Sequence, residues 1–348
     1  MKHTHLHTRL LALLLCCALV LPLSACGEAK STTQQIFAMD TVMDLTAYGK
    51  KADDGINAAI SIINSMDKLL DPENERSKTY EINHAMGSPV VVNEQIAKML
   101  RTALTVYERT NGAFDLTTYP LSKLWGFIDQ NYRVPSDAEI ERLLPCVDMR
   151  KVQLAATDDS ANSLVTMPAD MALSFGAVAK GCASDYAIQA MRAAGVTSGV
   201  VSLGGNVQTL GKKPDGSDWN IAIQDPNDTG SYLGYLTVGE TAVITSGSYQ
   251  RYFTEGGQKY HHILSPTTGR PVNNGLLAVT IVCEDGTLAD CLSTAMFVLG
   301  PQAALNYWRT YGGFEMVLVK SDGHVILTNG LYGKFTPNGD NYVVQYEN

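Results

Sequence analysis

The segment that most restricts the fold is Leu288–Leu299, a run with helical periodicity and almost no polar face. On a wheel of about 100° per residue, Leu292, Ala295, Met296 and Leu299 share one face, and Phe297, Cys291 and Val298 flank it. A helix apolar almost all round is a buried helix. Asp290 and Thr294 are left together on the remaining side. A buried carboxylate needs a cation or several hydrogen-bond donors. At positions i and i+4 the pair can place a carboxylate and a hydroxyl on one hard cation. Mg²⁺ accepts such oxygen ligands and keeps phosphates and waters in its other positions. An internal cap or ion pair for Asp290 is the alternative.

A second stretch, Ser174–Asp185, reads S-F-G-A-V-A-K-G-C-A-S-D. It follows the strand-like run Met171–Leu173 and opens a helical pattern that stops at Gly195. Gly176, Ala177, Ala179 and Gly181 are small, so a backbone or a ligand can come close. A strand, tight turn and helix present unpaired N–H groups and the positive end of a helix dipole, which suits a phosphate. Lys180 adds a mobile positive charge. The stretch is neither a Walker loop nor a G-x-G-x-x-G fingerprint. A plain strand-to-helix connection with a solvated lysine is the competing reading.

The 348 residues carry 26 basic and 35 acidic side chains, a formal charge of −9, with no run of Lys and Arg. No nucleic-acid partner is expected from such a surface. The length allows a sizeable core, in one large domain or two lobes sharing a cleft. Lys2 and Arg9 precede the apolar run Leu10–Leu23, which ends in Leu23-Ser24-Ala25-Cys26. This resembles a bacterial lipoprotein signal over residues 1–25, with cleavage exposing Cys26 for lipidation. A transmembrane anchor competes, but the run is shorter than the roughly 20 residues of a span. On the lipoprotein reading the chain is lipid-anchored at the extracytoplasmic face of the cell membrane. Residues 26–35 are then a polar linker and 36–348 the folded domain. Cys146, Cys182, Cys283 and Cys291 remain without C-x-x-C spacing, as small buried residues rather than a zinc site.

Ile36–Tyr48 alternates as a strand, and Ile56–Leu70 reads as an amphipathic helix closed by Asp71-Pro72. Glu73–Asn83 reads as a polar loop. Asn93 caps a helix ended by Asn111-Gly112, and Ser136 with Glu139 forms a capping box. From about residue 150 strands dominate: Lys151–Leu154, Leu164–Met167, Gly199–Leu203, Trp219–Gln224, Leu233–Val238, Ala242–Thr245, Leu277–Cys283, Phe314–Val319 and His324–Thr328. Two helices, Val178–Ala194 and Leu288–Leu299, interrupt them. Clustered helices and clustered strands without steady alternation predict an α+β fold, mixed β-sheets with flanking helices.

Several turns carry chemical side chains. Ser202–Asn206 ends a strand in two glycines, and Thr245–Tyr252 puts hydroxyls and Arg251 around Gly247. His261 and His262 enter a Pro/Gly turn. Adjacent strand residues face opposite sides, so the two cannot readily share an ion; one of them can serve as a base or phosphate contact.

Taken in order, these stretches form a series: M-D-T at 39–41, G-A-F-D at 112–115, P-L-x-x-L-W-G-F at 120–127 and G-A-V-A-K-G at 176–181. L-G-G-N at 203–206, T-S-G-x-Y at 245–249, H-I-L-S-P-x-T-G-R-P at 262–271 and A-D-x-x-x-T-A-x-F-V-L-G at 289–300 complete it. The series resembles the ApbE family of FAD:protein FMN transferases across nearly the whole mature chain. That resemblance implies two lobes around a nucleotide cleft, and Mg²⁺-dependent transfer of FMN from FAD to a threonine of a partner protein, releasing AMP. The implied acceptors are subunits of membrane redox complexes. It further implies Mg²⁺ on Asp290, Thr294 and the Ala177 carbonyl. Met39, Ala113, Phe114, Asp115, Ser174, Lys180 and Leu264 would line the flavin nucleotide, with His262 in acid–base catalysis beside Asp290. The chain departs from the commoner pattern at Asp40 (usually Gly), Ser174 and Ser265 (often Asp) and Cys182 (often aromatic). The alternatives are an FAD pyrophosphatase yielding FMN and AMP, and a lipoprotein that only binds flavin.

Overall fold

Period-two alternation along the later strands divides their side chains between two cores. Ala242, Ile244, Met316 and Leu318 join one apolar cluster, while Val243, Val317 and Val319 join the other. The strands therefore belong to a central sheet covered on both faces. In the computed structural model, which describes residues 30–348, that sheet has nine strands. Their spatial order is Ser31–Ala38, Thr41–Tyr48, Gly199–Leu203, Asn206–Leu210, Ala242–Gly247, Leu276–Cys283, Glu315–Lys320, His324–Thr328 and Val343–Glu347. All neighbours are antiparallel except the last pair. Helices Ala52–Leu70, Glu94–Arg109, Ala179–Ala193 and Gly286–Leu299 supply the larger core. A three-stranded sheet of Phe335–Pro337, Tyr232–Val238 and Trp219–Gln224 packs on the opposite face.

A third cluster builds a smaller lobe. Leu121, Trp125, Phe127, Ile140 and Leu264 are buried together among the helices Tyr119–Leu124 and Asp137–Leu143 and the hairpin Tyr252–His261. The α+β class predicted from the pattern is present, and so are the two lobes that the resemblance implies.

Three expectations need correction. The polar stretch expected as a linker through Gln35 is a strand from Ser31, paired with Thr41–Tyr48 along its whole length. Its first five residues, Ser31 to Gln35, are polar on both faces, so alternation of apolar residues does not reveal it. Ladder bonds hold it, with cross-strand pairs such as Gln35 Nε2 to Asp44 Oδ1 at 2.9 Å. The supposed loop after Glu73 contains the helix Lys78–Asn83, whose N-cap Ser77 accepts from the Tyr80 N–H at 2.9 Å. A third late helix, Pro301–Tyr311, follows directly on Gly300, whose φ of 81° breaks the preceding helix. The lipoprotein signal and Cys26 lie outside the described residues.

The helices Ala179–Ala193 and Gly286–Leu299 meet backbone to backbone. A Cβ on Gly181 would stand 2.1 Å from the Gly286 carbonyl oxygen and 2.6 Å from Asp290 Cβ. One on Gly286 would stand 2.8 Å from the Gly181 carbonyl oxygen. Both glycines are there for the approach of one helix to the other. Gly176 differs: a Cβ there meets only Ser174 Oγ, at 3.6 Å. Gly181→Ala is therefore expected to lower stability by about 2–3 kcal/mol through overpacking, whereas Gly176→Ala leaves the thermal midpoint unchanged. Comparing the two melts checks this, and equal midpoints would contradict the close-contact account.

Candidate active site

Between the sheet and the smaller lobe lies a cavity of about 930 Å³. Its wall draws on separate segments between Met39 and Val298. Met39, Ala113, Phe114, Asp115, Ser174, Ala177, Lys180, His262, Leu264, Asp290 and Thr294 all line it. The structure thus gathers every candidate residue within the described range into one place.

Asp290 sits on the floor and is 4 % exposed. The Gly181 N–H donates to its Oδ2 at 2.8 Å and the Asn206 side-chain amide to its Oδ1 at 3.0 Å. Burial pushes its pKa up, and the nearby Lys180 ammonium opposes that without cancelling it. Thr294, one turn further on, places Oγ1 3.1 Å from Ser246 Oγ. Because the Gly181 N–H turns to Asp290, it does not reach back to the Ala177 carbonyl, which accepts no backbone hydrogen bond among the described residues. A carboxylate short of positive charge, a hydroxyl and an unpaired carbonyl form a donor set of hard oxygens. That set suits a cation such as Mg²⁺. Among the described residues there is no cluster of three or more His, Cys, Asp or Glu side chains that could hold a metal.

His262 is half-buried on the opposite wall, its ring edge-on to Phe127. Its Nδ1 lies 3.2 Å from the Arg251 carbonyl. A carbonyl only accepts, so Nδ1 carries the proton and Nε2 keeps the lone pair. Burial, joined by the Arg251 guanidinium, pulls its pKa down to about 3. His261 faces the other way, with Nε2 2.8 Å from the Val272 carbonyl. Strand alternation separates the two histidines as the sequence required, and only His262 lines the cavity.

Other candidates reach the cavity while serving the local backbone. Asp115 accepts from the Thr117 N–H at 2.7 Å and the Met149 N–H at 3.1 Å, so its carboxylate builds a turn. Burial raises its pKa. Ser174 Oγ accepts from the Gly176 N–H at 3.2 Å. Met39 and Asp40 form the two-residue turn of the first hairpin with φ of 49° and 58°. Such a turn needs left-handed backbone at both positions, which Gly adopts freely and Asp tolerates. Ser265 is outside the lining and Cys182 is buried in the core.

Reasoning from sequence assigned no role to Asn206, Ser246 or Arg251. All three fall in stretches already marked by glycines, yet their partners are remote. Ser246 and Thr294 are 48 residues apart, and only the strand-on-helix packing brings them together.

Residues 39–318 match the ApbE family. The FAD:protein FMN transferase of Klebsiella pneumoniae is 31% identical over 285 residues, 81% of this chain and 87% of that protein. The enzyme of the same name from Treponema pallidum is 29% identical over 326 residues, 88% of this chain and 90% of that one. Among solved structures, the ApbE protein of Thermotoga maritima superposes with a TM-score of 0.81 at 30% identity, covering 88% of this chain and 99% of its own. The apo flavinyl transferase ApbE of Pseudomonas stutzeri gives 0.77 at 27% identity, covering 89% and 98%. With one cavity gathering the motifs and the match spanning most of both lobes, the chain belongs to the ApbE family.

Proposed function

We propose that this protein is an FAD:protein FMN transferase that moves FMN from FAD onto a threonine of a partner protein and releases AMP. The observation that carries the reading is the meeting of Asp290, Thr294 and the Ala177 carbonyl with Lys180 and His262 around a single nucleotide-sized cavity. Relatives at 26–31% identity over most of the chain bear that enzyme's name.

Asp290, Thr294 and the Ala177 carbonyl would hold Mg²⁺, which when bound supplies positive charge at the pyrophosphate of the substrate. Lys180, half-buried in the same wall, adds a second positive charge for the phosphates, and Arg251 a third at the mouth. The exposed Gly176 leaves room for the nucleotide to approach the backbone. His262 Nε2 accepts the proton of the acceptor hydroxyl as its oxygen forms the new bond to the FMN phosphorus. The P–O–P bond breaks on the far side, and AMP departs as the phosphate monoester. Burial and then Arg251 hold the His262 pKa down in the free protein, and an anionic substrate beside the ring acts in the opposite direction. With Ser174 in place of the usual acid, the nucleotide meets a hydroxyl already engaged by Gly176. The acceptors we propose are subunits of membrane redox complexes, reached by a lipid-anchored enzyme outside the cytoplasm.

Co-expression with a flavin-acceptor domain of such a complex should add the mass of one FMN to the acceptor, seen by intact mass spectrometry. The adduct disappears when the acceptor threonine is Ala, and with Asp290→Ala. Free FMN and AMP with every acceptor unmodified would establish the pyrophosphatase instead, and full activity in EDTA would remove the role for Mg²⁺.

His262 predicts an acid dependence of stability. Its folded pKa of about 3 lies below the ordinary 6.5, so the unfolded chain takes the proton first. The contribution is complete above pH 6.5 and is lost as pH falls toward 3. His262→Gln should show a shallower fall in thermal midpoint across that window, and parallel curves would contradict the neutral, half-buried ring. The anchor is tested separately: Cys26→Ser should abolish metabolic labelling with palmitate, and normal labelling would show the signal misread.

A further inference from the structure

Thr294 stands at the end of a chain of hydroxyls, and the following inference rests on reading Asp290 and Thr294 as cation ligands. Thr294 Oγ1 is 3.1 Å from Ser246 Oγ, and Ser246 Oγ is 2.8 Å from Ser293 Oγ. Ser293 Oγ in turn donates to the Asp290 carbonyl at 2.9 Å. Each hydroxyl has one proton to give and two lone pairs. A carbonyl only accepts, so the Ser293 proton is committed to it. Ser293 then meets Ser246 as an acceptor, which commits the Ser246 proton. Ser246 is left to accept from Thr294. One carbonyl oxygen sets the direction of the whole chain.

The consequence falls on Thr294. Its proton points along the chain toward Ser246, and its lone pairs accept no hydrogen bond among the described residues. A hydroxyl free to rotate would spend part of its time with its proton toward the cation, where like charges meet. We propose that Ser246 and Ser293 are positioning residues that lock the Thr294 proton away, so that its oxygen offers lone pairs alone to a divalent cation beside Asp290. The two serines are unlike in place. Ser246 is half-buried on the strand Ala242–Gly247 and lines the cavity, whereas Ser293 is wholly buried and does not. Ser293 acts only through Ser246.

That difference makes the test. Mn²⁺ binding, followed by electron paramagnetic resonance titration of the purified protein, should weaken about tenfold in Ser246→Ala, the lower range for removing a partner of a metal ligand. Ser293→Ala should weaken it comparably, although that side chain touches neither the cavity nor Thr294. Without Ser293, Ser246 gives its proton to Thr294 and turns the threonine proton outward. Ser246→Thr keeps a hydroxyl and should restore most of the affinity. FAD binding in EDTA, read by flavin fluorescence, should not change in Ser293→Ala. Wild-type Mn²⁺ affinity in Ser246→Ala or in Ser293→Ala would overturn the proposal. Should Ser246→Ala not fold, Ser293→Ala and Ser246→Thr still carry the comparison. A wild-type protein that binds no Mn²⁺ would be a different failure, that of the cation reading itself, and this proposal would go with it.

Discussion

Asp185 holds the geometry of the site without touching the cavity. It is 6 % exposed and accepts from the N–H groups of Gly286 and Thr287 at 2.8 and 3.0 Å, the first turn of the helix that carries Asp290 and Thr294. The Thr287 hydroxyl at 2.6 Å, Lys98 Nζ at 2.7 Å and the Gln208 amide at 3.1 Å donate to it as well. Burial works to raise its pKa, but Lys98 and these donors outweigh that and keep it below the ordinary carboxylate range. A negative charge at a helix N-terminus is favourable. Breaking a buried pair of this kind by removing one partner costs about 3–5 kcal/mol. Asp185 lies on one helix, and Gly286 and Thr287 begin the other, so this carboxylate fixes where the two helices cross.

That crossing is close because Gly181 and Gly286 face each other, and closeness is what lets the Gly181 N–H reach Asp290. The two buried acids then diverge. Asp185 is surrounded by donors and a lysine, and its charge is fully met. Asp290 has two donors and a lysine too distant to pair with it, and its pKa rises. An acid left short of charge on a cavity floor belongs to function, and one satisfied behind it belongs to the fold. The same crossing leaves the Ala177 carbonyl without its helical partner. A single packing constraint therefore sets up all three oxygens.

Much of the fold was legible because its strands are regular. Gly199–Leu203, Trp219–Gln224 and His324–Thr328 run between the residues at which the pattern placed them. What failed was polar secondary structure: Ser31–Ala38 is held by its ladder, and Lys78–Asn83 by its cap. The buried helix was legible because an apolar circumference leaves few places for Asp290 to go. Its start was two residues early, since Asp285 caps it by accepting from the Leu288 N–H at 2.9 Å. The candidate residues were legible largely through their order along the chain. The hydroxyls of Ser246 and Ser293 were not, because hydrogen bonds between a strand and a helix leave no period in either.

The residues at Asp40 and Ser174 show how the scaffold absorbs change at the cavity wall. Asp40 occupies a left-handed turn where its backbone, rather than its charge, is the constraint. Ser174 uses its hydroxyl to hold the Gly176 N–H, so losing an acid there leaves the turn intact. Neither position contacts the Gly181–Gly286 crossing. Variation at the rim and rigidity at the crossing follow from the same arrangement: rim residues meet water on one side and can be replaced singly. Gly181, Asp185, Gly286 and Asp290 each touch at least one of the others, and a change at one moves its neighbours.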